Sequence, residues 1–361
     1  MTDSSASIQS IEANRANFDL VLDIRPHAGS TPTVSGAVAV TADRLLSNPS
    51  QFIGSNDDLV LVVCDIGLRS AIVTDQLRSI GYGSAISLEG GIESWIAAGL
   101  PITSPQGLSI DDYARYDRQL KLPAFGIPGQ QALASARVAI VGVGGLGSPV
   151  LGYLAAAGVG HLTIIDSDNV ELSNLHRQPI YTTGDVGRAK SEAAASYAAA
   201  LNPTIEITAS TTRIDPSNAE AVLRGHDVLV TCTDSFDTAH AINGAAVLLG
   251  IPMVFGSVYR TEGQLAVFDA RSGPCYACVF PAQSTDPGLD CSIVGVLGPV
   301  TGVIGSMQAT ETIKVVIGSS NTNTGALVLY DAESQSIDRL SLQKVASCAT
   351  CGDSRVPSIR V

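Results

Sequence analysis

Residues Arg137–Gly147 read RVAIVGVGGLG. A short apolar run that ends in a Gly-rich turn is the signature of a buried strand passing into a helix. The following LGSPVLGYLAAAG supplies that helix. HLTIID is the next strand, Lys190–Leu201 the next helix, and IEITAST, HDVLVTCTD and IPMVFGSV continue the alternation. Strand and helix in strict alternation predict an α/β fold with a doubly wound, largely parallel sheet. At QLAVFDA the pattern changes, and an antiparallel element is expected there.

Upstream lies a second α/β unit, over residues 18–103. FDLVLDIR, DLVLVVC and AISL are its strands, a helix is expected over Ser70–Ile80, and EGGIESWIAAGLPI closes it. Pro101–Ile110 is rich in Pro, Ser, Thr and Gly and reads as a linker. A length of 361 residues accommodates two domains, placed at 1–104 and 105–361.

Composition narrows the function. With 45% hydrophobic residues the chain buries a core, and at 5% aromatics that core rests on Val, Ile, Leu and Ala. A net charge of −13 argues against a nucleic-acid partner, which needs clustered Lys and Arg. The polar amino-terminal stretch has no apolar run of signal-peptide length. Two uncharged stretches, Val138–Gly160 and Cys291–Thr310, are long enough for a membrane span. Both are interrupted by Gly, Pro, Ser or Thr and read as buried core. Seven Cys without a secretory signal point to a reducing, cytoplasmic setting and to metal or catalytic use.

In the first unit, Cys64 ends a strand and opens C-D-I-G-L-R-S just before a helix. Such a loop aims backbone N–H groups and the positive helix end at the sulfur, and Arg69 adds a charge. Those features stabilise a thiolate or an anionic persulfide. A merely buried structural cysteine is the alternative. The segment resembles a rhodanese (sulfurtransferase) domain through DIR at Asp23–Arg25, C-x-x-G-x-R-S at Cys64–Ser70, and L-x-G-G-x-x-x-W-x-x-A-G-x-P from Leu88 to Pro101. TVSGAV stands where that family has G-H-I-P-G-A. The resemblance implies that Cys64 carries a persulfide.

In the second unit the glycine turn Gly142–Gly147 is open to phosphates or adenosine, and Asp166 at the end of the next strand can bind ribose hydroxyls. That much would equally suit a nicotinamide-dependent dehydrogenase. Asn174 and Arg177 on the loop DSDNVELSNLHRQ, Lys190 after VGRA, and Asp234 after a strand instead suit a polyphosphate with Mg²⁺. Solvated surface charges are the alternative for Arg177 and Lys190. The order RYDRQ, GVGGLGS, DxDxVxxSNLxRQ, VGxxK, CTD and two C-x-x-C pairs resembles the MoeB/ThiF family of ubiquitin-activating-like enzymes, across Asp111–Cys351.

That resemblance implies a Rossmann-like adenylating domain that uses ATP on the C-terminal glycine of a small ubiquitin-like sulfur carrier ending in Gly-Gly. Gly144 and Gly145 would line the nucleotide, Asp166 the ribose, and Asn174, Arg177 and Lys190 the phosphates. Asp234 would take Mg²⁺, and Arg118 would reach the partner subunit's ATP, implying a homodimer. Ser235 replaces the usual Asn after CTD. Two compact pairs, Cys275 with Cys278 and Cys348 with Cys351, suit a structural Zn²⁺; a redox pair or surface thiols are the alternatives. Cys291 lies where some relatives place a reactive cysteine on a crossover loop, and an inert thiol is the other reading. Cys232, inside an apolar run, reads as core.

Together the two halves imply adenylation followed by sulfur transfer, with a cysteine desulfurase or thiosulfate as donor, and the molybdopterin carrier as the favoured partner. Thiazole, tRNA-thiolation or other carriers are the alternatives, with the rhodanese module as a docking unit only.

Overall fold

In the computed structural model, every apolar run singled out above becomes a strand. The structure describes residues 5–7, 18–26, 28, 31–103, 108–282 and 295–352. Contacts divide the chain into Met1–Leu122 and Pro123–Val361.

The first unit is built on a parallel five-stranded sheet. Its order is Ser5–Ala6, Ala85–Leu88, Val60–Val63, Leu20–Asp23, Val38–Ala39. Val60–Val63 is buried throughout, and its side chains alternate between two cores. Val60 and Val62 join Leu22 and Leu77 on one face, while Leu61 and Val63 join Leu88 and Trp95 on the other. Period-two burial of this kind belongs to a strand covered on both faces. Trp95 is buried, and its indole N–H donates to Pro101 O at 3.0 Å.

Two boundaries differ from expectation. The first helix after Cys64 spans Leu68–Ser79 and so begins earlier, because Gly67 takes the left-handed N-cap conformation. The expected linker Pro101–Ile110 is structured at both ends. Ile102–Thr103 pairs antiparallel with Thr33–Val34, as β-branched residues favour. Ile110 opens the helix Ile110–Leu120, which Ser109 and Asp112 close with a reciprocal capping box.

The second unit carries an eight-stranded sheet. Glu206–Ser210, His161–Ile165, Arg137–Val141, Val228–Thr231 and Met253–Tyr259 are parallel neighbours in that order. Glu262–Phe268, Ala326–Asp331 and Ser336–Ser341 then extend it antiparallel. Val138 and Ile140 face the layer formed by Gly147–Ala157, Lys190–Leu201 and Gly298–Val316, and Ala139 and Val141 face Ala219–Leu223 and Phe236–Leu249. The doubly wound α/β expectation therefore holds, with its antiparallel end. Each fully buried Val, Leu or Ile on these faces contributes roughly 1.5–3 kcal/mol.

The two long uncharged stretches fall within this layering. Val138–Gly160 is the strand, turn and helix at the sheet centre. Of Cys291–Thr310, the described part opens the helix Gly298–Val316, whose Val300 and Ile304 are buried. No described helix is long and apolar enough to cross a membrane.

Candidate active site

Arg137–Val141 and Val228–Thr231 are hydrogen-bonded neighbours, but the chain leaves the first outward through His161–Ile165 and returns to the second from the other side. Their carboxyl ends thus form the switch point at which doubly wound sheets bind ligands. The glycine turn follows the first strand, and Cys232–Asp234 follows the second. Gly142 has φ +89, and a Cβ there would lie 2.8 Å from Cys232 O. Gly142→Ala is therefore expected to destabilise the unit by about 1–3 kcal/mol, measured as a fall in the thermal midpoint; an unchanged midpoint would show that the turn relaxes.

Asp166 stands one residue beyond its strand and accepts N–H bonds from Val143 at 2.8 Å and Asp168 at 2.9 Å. Burial pushes its carboxyl above the ordinary range, against those two donors. The carboxylate thus fixes the glycine turn beside it. Asn174 is buried in the short turn Leu172–Asn174, with its Oδ1 accepting from Glu171 N at 3.2 Å. Arg177 is half-buried and donates to Ser173 O at 3.1 Å. Lys190 is only 7% exposed, and its Nζ meets Asp168 Oδ2 at 2.9 Å. The buried ammonium and the Asp166 carboxyl are thereby linked through one short segment. Asp234 is exposed at the edge of the sheet, and Ser235 caps the Phe236–Leu249 helix by accepting from Thr238 N at 3.2 Å.

Three residues that the sequence reading did not single out complete this edge. The single Tyr181 hydroxyl proton is shared between Val143 O at 2.9 Å and Lys190 O at 3.1 Å, tying the glycine turn to the lysine. Thr301, near the amino end of the Gly298–Val316 helix, packs on Gly145, where a Cβ would lie 3.0 Å from its Cγ2. Gln178 is buried beside Gly144, and its Oε1 has no partner among the described residues. The R-Q dipeptide after SNLH was the available signal for Gln178; nothing local marks Tyr181 or Thr301.

In the other unit, Cys64 is buried at the end of its strand. Its Sγ lies 3.3 Å from both the Ser70 N–H and the Ser70 hydroxyl. Ser70 is in the first turn of Leu68–Ser79, so the sulfur faces a helix amino end. Among the described residues one backbone N–H reaches it, where several were expected, and Arg69 is exposed. Gly91 explains the Gly-Gly of the motif. At φ +60, a Cβ there would collide with Cys64 O and Asp65 O. Arg25 is buried in a two-pronged pair with Asp23, at 2.9 and 2.6 Å, and also donates to Pro32 O. It braces the strand ends beneath the Cys64 loop, with Asp65 4.0 Å away.

The two C-x-x-C pairs meet. Sulfur separations are 3.9 Å for Cys275–Cys278, 3.7 Å for Cys275–Cys348 and 3.4 Å for Cys278–Cys351, and all four sulfurs lie within 4.8 Å of one another. A tetrahedral ion with 2.3 Å bonds to sulfur needs edges of about 3.8 Å, so the donor set fits zinc. Burial pushes the Cys275 thiol up and the Cys351 thiol up to about 11, an opposition that a bound cation reverses. Val345 N–H donates to Cys278 Sγ at 3.5 Å.

Cys232 is buried just beyond Val228–Thr231, and burial pushes its thiol far up, as a core residue requires. Cys291 lies outside the described residues. Arg118 is in the last turn of Ile110–Leu120 with its side chain 94% exposed.

Residues 116–350 match the ThiF family and residues 7–98 match the rhodanese-like domain. The adenylyltransferase and sulfurtransferase UBA4 of Yarrowia lipolytica is 47% identical over 254 residues, 69% of this chain and 63% of that protein. This chain therefore spans less than two thirds of that relative. The sulfur carrier protein adenylyltransferase of Thermus thermophilus is 44% identical over 250 residues, 67% of this chain and 92% of that protein. Among solved structures, E. coli MccB with AMPCPP and MccA superposes with a TM-score of 0.60 at 21% identity, over 69% of this chain and 76% of that one. That likeness concerns the fold.

Proposed function

The chain belongs to the ThiF family and carries a rhodanese-like domain, and from that premise we propose that it adenylates the C-terminal glycine of a ubiquitin-like sulfur carrier and converts it to a thiocarboxylate. The observation that carries this reading is the convergence of the glycine turn, Asp166 and the buried Lys190 at one switch point. The carrier carboxylate attacks the α-phosphorus of ATP, the bond to the β-phosphate oxygen breaks, and acyl-adenylate and pyrophosphate form. Arg177 and Lys190 stabilise the charge that develops on the leaving pyrophosphate, Asn174 orients the phosphates, and Gly144 and Gly145 let the nucleotide approach. Asp166 holds the ribose. Asp234 is the ligand for Mg²⁺, which would neutralise phosphate charge when bound.

The terminal sulfur of a Cys64 persulfide then attacks the acyl carbon and expels AMP, leaving an acyl disulfide. A second thiol attacks the Cys64 sulfur of that disulfide and releases the thiocarboxylate, leaving a disulfide between the two cysteines that an external thiol reductant must reopen before the next cycle; Cys291 is our candidate for the second thiol. A cysteine desulfurase or thiosulfate reloads Cys64. We assign the helix bearing Arg118 to the adenylating domain, with the boundary at 104/105, and Arg118 to the ATP of a second subunit in a cytoplasmic homodimer. Zinc on the four cysteines has a structural role. The carrier of the molybdopterin pathway is the favoured substrate, on overall motif similarity.

ATP–pyrophosphate exchange with a panel of purified Gly-Gly carriers tests the reading. Exchange is expected with one carrier and is expected to fall at least 10²-fold in Asp234→Ala. No exchange with any carrier, in folded zinc-loaded protein, would overturn adenylation. A carrier other than the molybdopterin one would reassign the pathway.

A further inference from the structure

Asn243 sits in the middle of the Phe236–Leu249 helix and is 1% exposed. Its Oδ1 accepts from Tyr276 N–H at 2.9 Å, and its Nδ2 lies 3.8 Å from Cys275 Sγ. Because a backbone N–H can only donate, the amide oxygen must face Tyr276, and the NH₂ must face the sulfur. An N–H aimed at a ligand sulfur fixes the direction in which that sulfur points.

The same helix is capped by Ser235, the residue after Asp234. Asn243 lies seven positions beyond Phe236, about 10 Å along a helix axis. Tyr276, next in the chain to Cys275, packs against that first stretch as well. Its ring lies 5.0 Å from His240, edge to face, and 6.1 Å from Phe236. The Cys275–Tyr276 segment thus touches one helix at two levels, at Asn243 and, nearer Asp234, at His240 and Phe236.

We propose that Asn243 is a positioning residue that orients Cys275 toward the metal and locks the helix that directly follows Asp234, so that metal occupancy and order at the nucleotide edge are coupled. The second half of this statement rests on the role proposed above for Asp234. Losing metal would leave four crowded thiols to spread, release the Asn243 contact and loosen the helix start.

The test uses the full chain. Competition with a chromophoric chelator for Zn²⁺ is expected to show a 10–100-fold loss of affinity in Asn243→Ala. Asn243→Asp keeps the acceptor for Tyr276 N–H but loses the N–H donor, and a similar loss is expected. In unsubstituted protein stripped of zinc, amides of residues 236–243 are expected to exchange hydrogen at least tenfold faster, with those of 147–157 unchanged. Zinc affinity within twofold of the parent in both variants would overturn the first half. Unaltered exchange over 236–243 after stripping would overturn the coupling, and needs no variant to fold. Neither readout depends on ATP turnover, so failure of pyrophosphate exchange in the parent would remove the adenylation reading and leave these outcomes separately legible.

Discussion

Cys64→Ala is expected to abolish thiocarboxylate formation while leaving carrier-dependent ATP–pyrophosphate exchange at the level of the parent. Alanine has no atom that can hold the transferable sulfur, so the loss should be on the order of 10³-fold or more, as for other covalent nucleophiles. The site argues for function over packing. The sulfur ends a fully buried strand, yet it is held by Ser70 at 3.3 Å through both N–H and hydroxyl. Ser70 in turn hydrogen-bonds Ser87 at 2.8 Å, so the group that meets the sulfur is itself fixed. Removing one sulfur from this wall should cost little stability, since the loop is secured by Ile92 N–H donating to Cys64 O at 2.8 Å. Mass spectrometry of the carrier, run beside the exchange assay, gives the answer. Persistent thiocarboxylate in the variant would reduce the rhodanese-like domain to a docking module, and a parallel fall in exchange would point to a folding defect instead.

Arg177→Ala should produce the second large effect, a fall of about 10²–10³ in exchange turnover. Arg177 is half-buried, and among the described residues its guanidinium hydrogen-bonds only within its own turn, at Ser173 O and at His176 Nε2, 2.8 Å away. Nothing in the core depends on it, so unfolding should shift by less than about 0.5 kcal/mol. Lys190 would be a poorer probe. It is buried and paired with Asp168, and its backbone carbonyl anchors Tyr181, so truncation would mix binding with structure. A loss in Arg177→Ala confined to the ATP KM would mean ground-state binding of phosphate. A loss in turnover at saturating ATP would mean that the cation acts on the departing pyrophosphate. Full activity in the variant would remove Arg177 from the site.

The sequence carried the elements and most of the chemistry. Apolar runs bounded by charge or glycine mark the central parallel strands such as Val60–Val63 and Val228–Thr231, because strands covered on both faces must be apolar throughout. Ala85–Leu88 is legible to the residue for that reason, and the helix Lys190–Leu201 also keeps its expected bounds. The glycine turn and the C-x-x-C pairs are also local, since each depends on residues a few positions apart. Ile102–Thr103 was not legible, because a two-residue strand has no period to read.

What only the tertiary structure decided is which distant segments become neighbours. Periodicity records which face of a strand is buried, but not which strand lies beside it. The joining of Cys275 and Cys278 to Cys348 and Cys351, about seventy positions on, depends on how the antiparallel strands return to one edge. The clamp of Asp168 on Lys190, the Tyr181 hydroxyl between Val143 and Lys190, and the Asn243 amide between Tyr276 and Cys275 are likewise long-range. Each is a single buried polar group satisfied by a partner that the chain reaches only after folding, and a sequence shows the need for such a partner without showing its address.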